Sequence, residues 1–591
     1  IRLMGRFERG AKIGERCGIE RFRGVDHGGE PDLPVPIIVV RAALPALPKN
    51  VAEEPAQEAK PSEPPNEDEI LPTFDAPTAH PGGTDRLDPL PLWPALGWER
   101  NVLETASHRA LPKMVAAFSE DGYEYLVEEV PTGRSLWDAW DDSEVGAERR
   151  FGWLKQIAEA LQALHHSGAI LEALRPDIVI VDAADNARLT DLSDLLPLPL
   201  PDDAPLRATF YTAPELTQSG QTVDARADLY GFGAMLYALH VGRELTEMDF
   251  ERPGFPKPFI PRFPDIHPLF GRLLTKTFRR ELTARFPTEE AASEDPSGFT
   301  ELLRNLEVCQ QTFDEARLDI AAWTTTGMVR SGNEDAFALC HVAESRLDYL
   351  RESALILLAD GMGGYDSGEV AAALAIHSLR KYLLAQAPFQ GLSGVSPFPG
   401  EAHRFEGHAV PETDIDSCKE AILAALRYAN KEVYNGSRSG VGKRGMGCTA
   451  EVVYVTGKHV IVGHVGDSRT YHLNEGRLVQ LTRDHTLVGR LVELGTLTAE
   501  EAEHHPRKNE LQQAIGGRAE VEPGLYHGLM KPGDWVIVCS DGLPNHVSAT
   551  MLKQMLQSEA MSAEMAARRL INLVNVEGAT DNATVAIVRA T

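Results

Sequence analysis

The chain has 591 residues, too many for one hydrophobic core, so two or more domains are expected. Its 43% apolar content suits a globular protein, and 87 acidic against 58 basic residues leave a net charge of -29, which opposes binding to a nucleic-acid backbone or an anionic membrane surface. No apolar run reaches the roughly 18 residues of a membrane span and no signal-peptide core opens the chain, so a cytoplasmic protein without nucleic-acid or membrane partners is expected.

The sequence begins at Ile1 rather than Met, which is compatible with a preceding segment. Cys17, Cys309, Cys340, Cys418, Cys448 and Cys539 form no CxxC pair, and three of them lie in apolar runs that read as strands. Reduced, mostly buried thiols follow.

In chain order, an apolar strand pattern covers Val35 to Ala43. From Pro45 to about Arg86 the composition shifts: residues 51–75 hold eight Asp/Glu against the single Lys60, with repeated Pro. Such a stretch cannot bury enough apolar surface to offset its ordering entropy, and a disordered acidic insertion is predicted at about 45–86. A mixture of helical and strand-like segments follows from Trp93 to about Gln310. The adjacent His165 and His166 close a helical pattern before Ser-Gly, where a cap or structural contact outweighs a metal-binding role.

Residues 1–310 resemble a eukaryotic-type protein kinase whose catalytic residues are replaced. Gly14-Glu-Arg16-Cys-Gly18-Ile19 stands where the glycine-rich loop belongs, with Arg16 and Ile19 at two of the three glycine positions. Ile37-Ile-Val-Val-Arg41 is similar to the strand whose lysine pairs the nucleotide phosphates, and Glu99 to the helix glutamate that partners it. Leu171-Glu-Ala173-Leu-Arg175-Pro176-Asp-Ile178 takes the place of the catalytic loop. There Ala173 replaces the catalytic aspartate and Ile178 the metal-binding asparagine. Asp191 keeps one metal-ligand position, while Ala213-Pro214-Glu215 and Asp224 to Asp228 keep structural motifs. The resemblance implies a bilobal pseudokinase that binds a partner protein or, weakly, a nucleotide.

After a linker at 311–320, a second block carries strand signals at Ala354–Ala359, Glu451–Val455, His459–Val465, Arg477–Leu481, Asp534–Ser540 and Ala583–Arg589. Helical patterns cover Glu369–Ala387 and Asp416–Tyr434, the second followed by Asn435-Gly436 as a stop signal. Sheets covered by helices, and an α+β class overall, are predicted. Acidic motifs recur at strand ends: Arg330-Ser-Gly-Asn-Glu334-Asp335, Asp360-Gly361-Met362-Gly-Gly, Gly466-Asp467-Ser-Arg, Ser540-Asp541-Gly and Asp581-Asn582. Carboxylates meeting without His or thiolate partners make an all-oxygen site suited to Mg²⁺ or Mn²⁺ rather than Zn²⁺.

With Gly-Cys-Thr-Ala at 447–450, these motifs make residues 321–591 resemble the bacterial form of the PPM (type 2C) metal-dependent serine/threonine protein phosphatases. The resemblance implies an α-β-β-α sandwich and a phosphoprotein substrate. It also implies Asp360 bridging two metal ions, the Gly361 carbonyl as a further ligand, Asp541 and Asp581 holding one ion, and Glu334 and Asp335 at the cluster. Asp467 and Asp541 match positions that help hold a third, weaker ion, Arg330 the residue that grips the substrate phosphate, and Asn582 one that orients Asp581.

Two bound metals would generate hydroxide for in-line attack on phosphorus. Met362, where many eukaryotic members have His, leaves water as the general acid. Thr482–Gly517 is similar to a mobile flap, and His504-His505 within it reads as surface loop. The expected whole is an active phosphatase directed by a dead kinase-like domain. The alternatives are a bifunctional kinase and phosphatase, against which Ala173 counts, and a non-catalytic scaffold, against which Arg330, Asp360, Asp541 and Asp581 count.

Overall fold

A computed structural model describes residues 2–28, 34–44, 92–346, 349–362, 367–393, 414–508, 510–557 and 561–591. The expected acidic insertion at 45–86 and the glycines after Met362 lie outside them. The chain divides into two compact units, one formed by Ile1–Val145 and Trp153–Leu303, the other by Gly146–Gly152 and Arg304–Thr591. Strand begins already at Leu318, inside the stretch read as linker.

In the first unit β1 (Arg2–Leu3), β2 (Phe7–Arg16), β3 (Ile19–Asp26), β4 (Val35–Ala43), β5 (Met114–Glu120) and β6 (Tyr123–Glu129) form an antiparallel sheet in the order β1-β2-β3-β4-β6-β5. Helix α1 (Leu96–Thr105) packs on it through Leu96 and Val102, beside Ile38, Val40 and Leu126. The unit also contains α2 (Ala147–His166) from Trp153 onward and the buried α3 (Ala227–Val241). Asp228 of α3 accepts from the Leu171 amide at 3.0 Å and meets His165 Nε2 at 2.7 Å. The helix-end histidine is thus a structural contact, as its position suggests. Arg285, fully buried, forks onto Glu215 at 2.6 and 2.8 Å, a bidentate geometry only guanidinium offers.

The second unit is built from two antiparallel sheets. One runs β7-β16-β15-β12-β13, from β7 (Leu318–Thr325), β12 (Arg469–Asn474), β13 (Arg477–Gln480), β15 (Trp535–Cys539) and β16 (Ala583–Ala590). The other runs β8-β9-β10-β11-β14, from β8 (Asp335–Arg346), β9 (Tyr349–Met362), β10 (Ala450–Thr456), β11 (His459–Val465) and β14 (Gly524–Leu529).

Period-two alternation stacks them. Ala354, Ile356 and Leu358 face Val536, Val538, Ala586 and Val588 across the space between the sheets. Leu355, Leu357 and Ala359 face outward onto α4 (Ser367–Leu384) and α5 (Ile415–Ser439), through Ala375, Leu379, Ile422 and Leu426. On the opposite side Ile537 and Ile587 meet α7 (Ala549–Leu556) and α8 (Ala563–Val576) through Leu552, Leu570 and Val574; α6 (Leu487–Glu493) lies in the connection after β13. Each fully buried aliphatic side chain contributes about 1.5–3 kcal/mol, so three continuous apolar layers hold this unit together.

One stop signal is overridden. α5 continues through Asn435 and Gly436 and ends at Gly440, whose φ is +88°. Gly436 sits where a Cβ would come within 2.9 Å of Leu374 of α4, so its bareness serves helix packing rather than termination.

Candidate active site

Strand ends from both sheets of the second unit bring the acidic motifs to one rim. Asp335 opens β8 and pairs in register with Asp360 near the end of β9. Asp467 follows β11, Asp541 follows β15, and Asp581 precedes β16. Asp335 Oδ2 accepts hydrogen bonds from Ser540 Oγ at 2.9 Å and Thr584 Oγ1 at 2.7 Å, whereas its Oδ1 is buried with no partner among the described residues. The Asp360 amide donates to Thr449 Oγ1 at 2.9 Å, and Thr449 Oγ1 meets Ser468 Oγ at 2.7 Å. Gly361 has no room for a side chain: a Cβ would lie 2.2 Å from the Gly368 carbonyl oxygen and 2.8 Å from that of Glu334.

The loop before β8 is pinned by Asn582. Its Oδ1 accepts from the Glu334 amide at 2.9 Å, and its Nδ2 donates to Thr326 O and Gly332 O at 2.9 Å each. Only its backbone N–H touches Asp581, at Oδ1, 2.9 Å. The side chain expected to orient Asp581 instead holds the segment that carries Arg330 and Glu334. Half-exposed Arg330 donates to Asp581 Oδ2 at 2.8 Å.

Burial and mutual repulsion dominate the electrostatics. Burial, opposed by the two hydroxyl hydrogen bonds and reinforced by Asp541 and Asp581, pushes Asp335 up to about 6. Asp360 is raised well above the carboxylate range by burial and then by Asp335, Asp541 and Asp467. Asp467 is pushed up to about 7 by burial, Asp541 and Asp484, and Asp541 is raised by burial and by Asp581. Among the described residues no three His, Cys, Asp or Glu side chains are gathered into a closed metal-binding group. The donor chemistry nonetheless fits a hard divalent cation: clustered, desolvated carboxylates, one bare buried oxygen, and no competing nitrogen or sulfur.

Sequence reasoning singled out every carboxylate of this rim but missed the hydroxyls of Ser540 and Thr584 and the pair Glu451–His464 behind Asp467. A lone glutamate inside an apolar strand pattern was the available signal for the last.

In the first unit the residues of the nucleotide cleft do not pair as expected. Arg41 bonds Glu20 at 2.6 Å, and Glu99 is taken instead by Arg21 of β3, at 2.7 Å. The substitution is geometric: Arg41 leans over the rings of Phe22 and Tyr123, while Arg21 is buried with Glu99 and lies 3.4 Å from Glu128. Burial disfavours that cation, yet Glu99, Glu128 and Asp191 keep it charged. The presumed glycine loop is a two-residue hairpin at Cys17-Gly18, with φ of +51° and +76°. From its shoulder Arg16 reaches Glu172 at 2.8 Å and the Pro205 carbonyl at 2.7 Å. A cavity of about 10 Å³, roughly one water, lies among residues that include Arg16, Ile19, Arg21, Glu99 and Ser193. Asp191 folds back onto the Ser193 amide and hydroxyl at 2.8 and 2.9 Å.

The second unit is thus a helix-flanked double sheet with an acidic rim, and the comparisons give its family. The protein phosphatase 2C family matches residues 324–581, and the protein kinase domain family residues 94–290. Over 271 residues the chain is 30% identical to a putative protein phosphatase 2C-type of Streptococcus pyogenes serotype M6, spanning 46% of this chain and 97% of that one. Over 270 residues it is 33% identical to the serine/threonine protein phosphatase PstP of Mycobacterium tuberculosis, spanning 46% and 44%. Among solved structures, the S. agalactiae serine/threonine phosphatase is 32% identical, with a TM-score of 0.39 and 46% and 100% covered. The chain belongs to the protein phosphatase 2C family. It is a serine/threonine protein phosphatase preceded by a kinase-like domain. Among the described residues no helix is long and apolar enough to cross a membrane.

Proposed function

We propose that the phosphatase domain, at about 321–591, hydrolyses phosphoserine and phosphothreonine in protein substrates by means of Mn²⁺ or Mg²⁺. Asp335, Asp360, the Gly361 carbonyl, Asp467, Asp541, Asp581 and Glu334 would hold the ions. When bound, these supply an activated water and charge for the phosphoryl transition state. The chain's own residues set the rest. Ser540 and Thr584 fix one oxygen of Asp335, leaving the other buried without a partner among the described residues. Thr449 fixes the backbone at Asp360, and Asn582 fixes the loop bearing Arg330. The Arg330 guanidinium would exchange Asp581 for the substrate phosphate, to which its fork is matched.

The observation that carries this reading is the unpartnered, buried Asp335 Oδ1 within a cluster of carboxylates that repel one another. Phosphate release from a phosphothreonine peptide should require added Mn²⁺ or Mg²⁺, and Asp541→Asn should lower kcat at least about 10²-fold. Full turnover in chelator or in that variant would exclude the mechanism.

The kinase-like domain, at about 1–310, is proposed to be catalytically dead and to direct the phosphatase through a protein partner. Ala173 and Ile178 remove the base and one metal ligand. Support comes from the cleft, where the chain's own Arg16 and Arg21 take the ground of nucleotide and lysine.

A further inference from the structure

Glu451 and His464 are register partners on β10 and β11, and both are fully buried. Their Oε1 and Nδ1 are in direct hydrogen-bond contact. Glu451 Oε2 accepts from Thr470 Oγ1 at 3.0 Å, and His464 Nε2 lies 2.9 Å from the Arg483 carbonyl oxygen. A carbonyl oxygen only accepts, so Nε2 carries a proton and donates. The pair is therefore imidazolium with carboxylate, or imidazole with carboxylic acid, and either form makes the same three contacts.

Two aliphatic side chains would fill this place without burying a titratable pair, although the Thr470 hydroxyl would lose its partner. What they would lack is the grip on Arg483. That residue belongs to the run Thr482–His485, which is stitched to both sides of the turn bearing Asp467. On one side the His485 amide donates to the Gly466 carbonyl at 2.7 Å, and the Gly466 amide to His485 Nδ1 at 3.3 Å. On the other, Arg469 forks onto Asp484 at 2.7 and 3.1 Å, and the Thr470 amide donates to Thr482 Oγ1 at 3.1 Å. The same run opens the segment 486–512, whose base is closed by Leu487 N to Glu510 O at 2.9 Å and Gln512 N to His485 O at 2.8 Å. Three residues beyond, Ile515 pairs with Cys448, itself the register partner of Gly361.

We propose that Glu451 and His464 are positioning residues for the phosphatase reaction. Through the Arg483 carbonyl they hold the base of segment 486–512 against the Asp467 turn, and so set the site's affinity for the ion that Asp467 helps to hold. The second half of this statement rests on the reading of Asp467 as a ligand.

The test uses the full chain and two measurements: hydrogen exchange of the amides in 486–512, and the Mn²⁺ concentration giving half-maximal phosphate release. In Glu451→Val/His464→Leu, which keeps the site apolar and leaves no orphaned charge, exchange should quicken about tenfold and half-saturating Mn²⁺ rise about tenfold, as expected for one lost net hydrogen bond. The rate at saturating Mn²⁺ should change little. Glu451→Gln, which can still accept from Thr470 and bond His464, should stay within about threefold of the parent on both measurements.

If the double variant does not melt cooperatively, the isosteric Thr470→Val, which frees one oxygen of Glu451, should move both measurements in the same direction. Exchange unchanged in whichever of these variants folds overturns the positioning role. Exchange quickened with Mn²⁺ dependence unchanged, together with Asp467→Asn also leaving that dependence unchanged, overturns the ligand reading of Asp467 alone.

Discussion

Glu128 stands with Glu99 around the single buried guanidinium of Arg21, and its Oε2 has no hydrogen-bond partner among the described residues. Burial, with Glu99 and Asp191 adding to it and Arg21 opposing, raises its carboxyl from 4.5 to about 7. A group held more protonated when folded than when unfolded destabilises the fold as pH climbs from about 4.5 to about 7. By linkage the cost is about 1 kcal/mol near pH 5 and about 3 kcal/mol above pH 7.

Glu128→Met removes that burden at similar volume and leaves the 2.7 Å Arg21–Glu99 pair in place. Giving up the weak 3.4 Å contact to Arg21 returns about 1 kcal/mol, so a net gain of about 2 kcal/mol is expected near pH 7.5 and about zero near pH 5. Denaturant unfolding followed by tryptophan emission reads this unit selectively, because Trp93, Trp98, Trp137, Trp140 and Trp153 belong to it and only Trp323 and Trp535 to the other. A variant destabilised by more than about 1 kcal/mol near pH 7.5, or one whose change is the same at both pH values, would show that Glu128 is an integral partner of Arg21 and not a surplus charge.

Gly361→Ala should abolish phosphatase turnover and destabilise the second unit by about 1–3 kcal/mol, seen by calorimetry, because the atoms in its way are backbone. Asp249 behaves oppositely to Glu128. Burial tends to raise it, but Arg243, the Thr246 amide and Arg262 outweigh burial and lower it to about 2. Its stabilisation, about 2 kcal/mol before discounting the partly exposed arginines, is present above about pH 4 and lost as pH falls toward 2. Asp249→Asn should therefore weaken the first unit at pH 7 and flatten that acid limb. In an Asp541→Asn background no labelled phosphate should pass from ATP to the chain or to a peptide. Incorporation that disappears on Asp191→Ala would establish a bifunctional enzyme.

How far the sequence reveals this molecule depends on the range of the interaction. The near-continuous apolar runs Ala354–Ala359 and His459–Val465 specify strands buried on both faces, and the motif order places carboxylates at their ends, so the rim is legible one residue at a time. Pairings are not. Arg21 and Arg41 lie on adjacent strands, and it is the register, Arg21 opposite Val40 and Arg41 opposite Glu20, that puts Arg21 rather than Arg41 on the face of α1. Asn435-Gly436 has the composition of a stop, yet the helix continues to Ser439 and ends at Gly440, with Gly436 packed beside the Leu374 side chain of α4. The hydroxyls of Ser540 and Thr584 are ordinary strand residues until the sheet brings both to Asp335.

Glu172 has a consequence for how the two halves can share one chain. It accepts from the backbone amides of Arg207 and Ala208 while holding Arg16, so a carboxylate orders the segment that active kinases commonly order with an arginine bound to a phosphorylated residue. A phosphate in that place would be a mark that a phosphatase on the same chain could erase. A glutamate is written into the gene, and no hydrolase removes it. The order of the chain at Arg207 and Ala208 thus rests on a side chain and needs no phosphate.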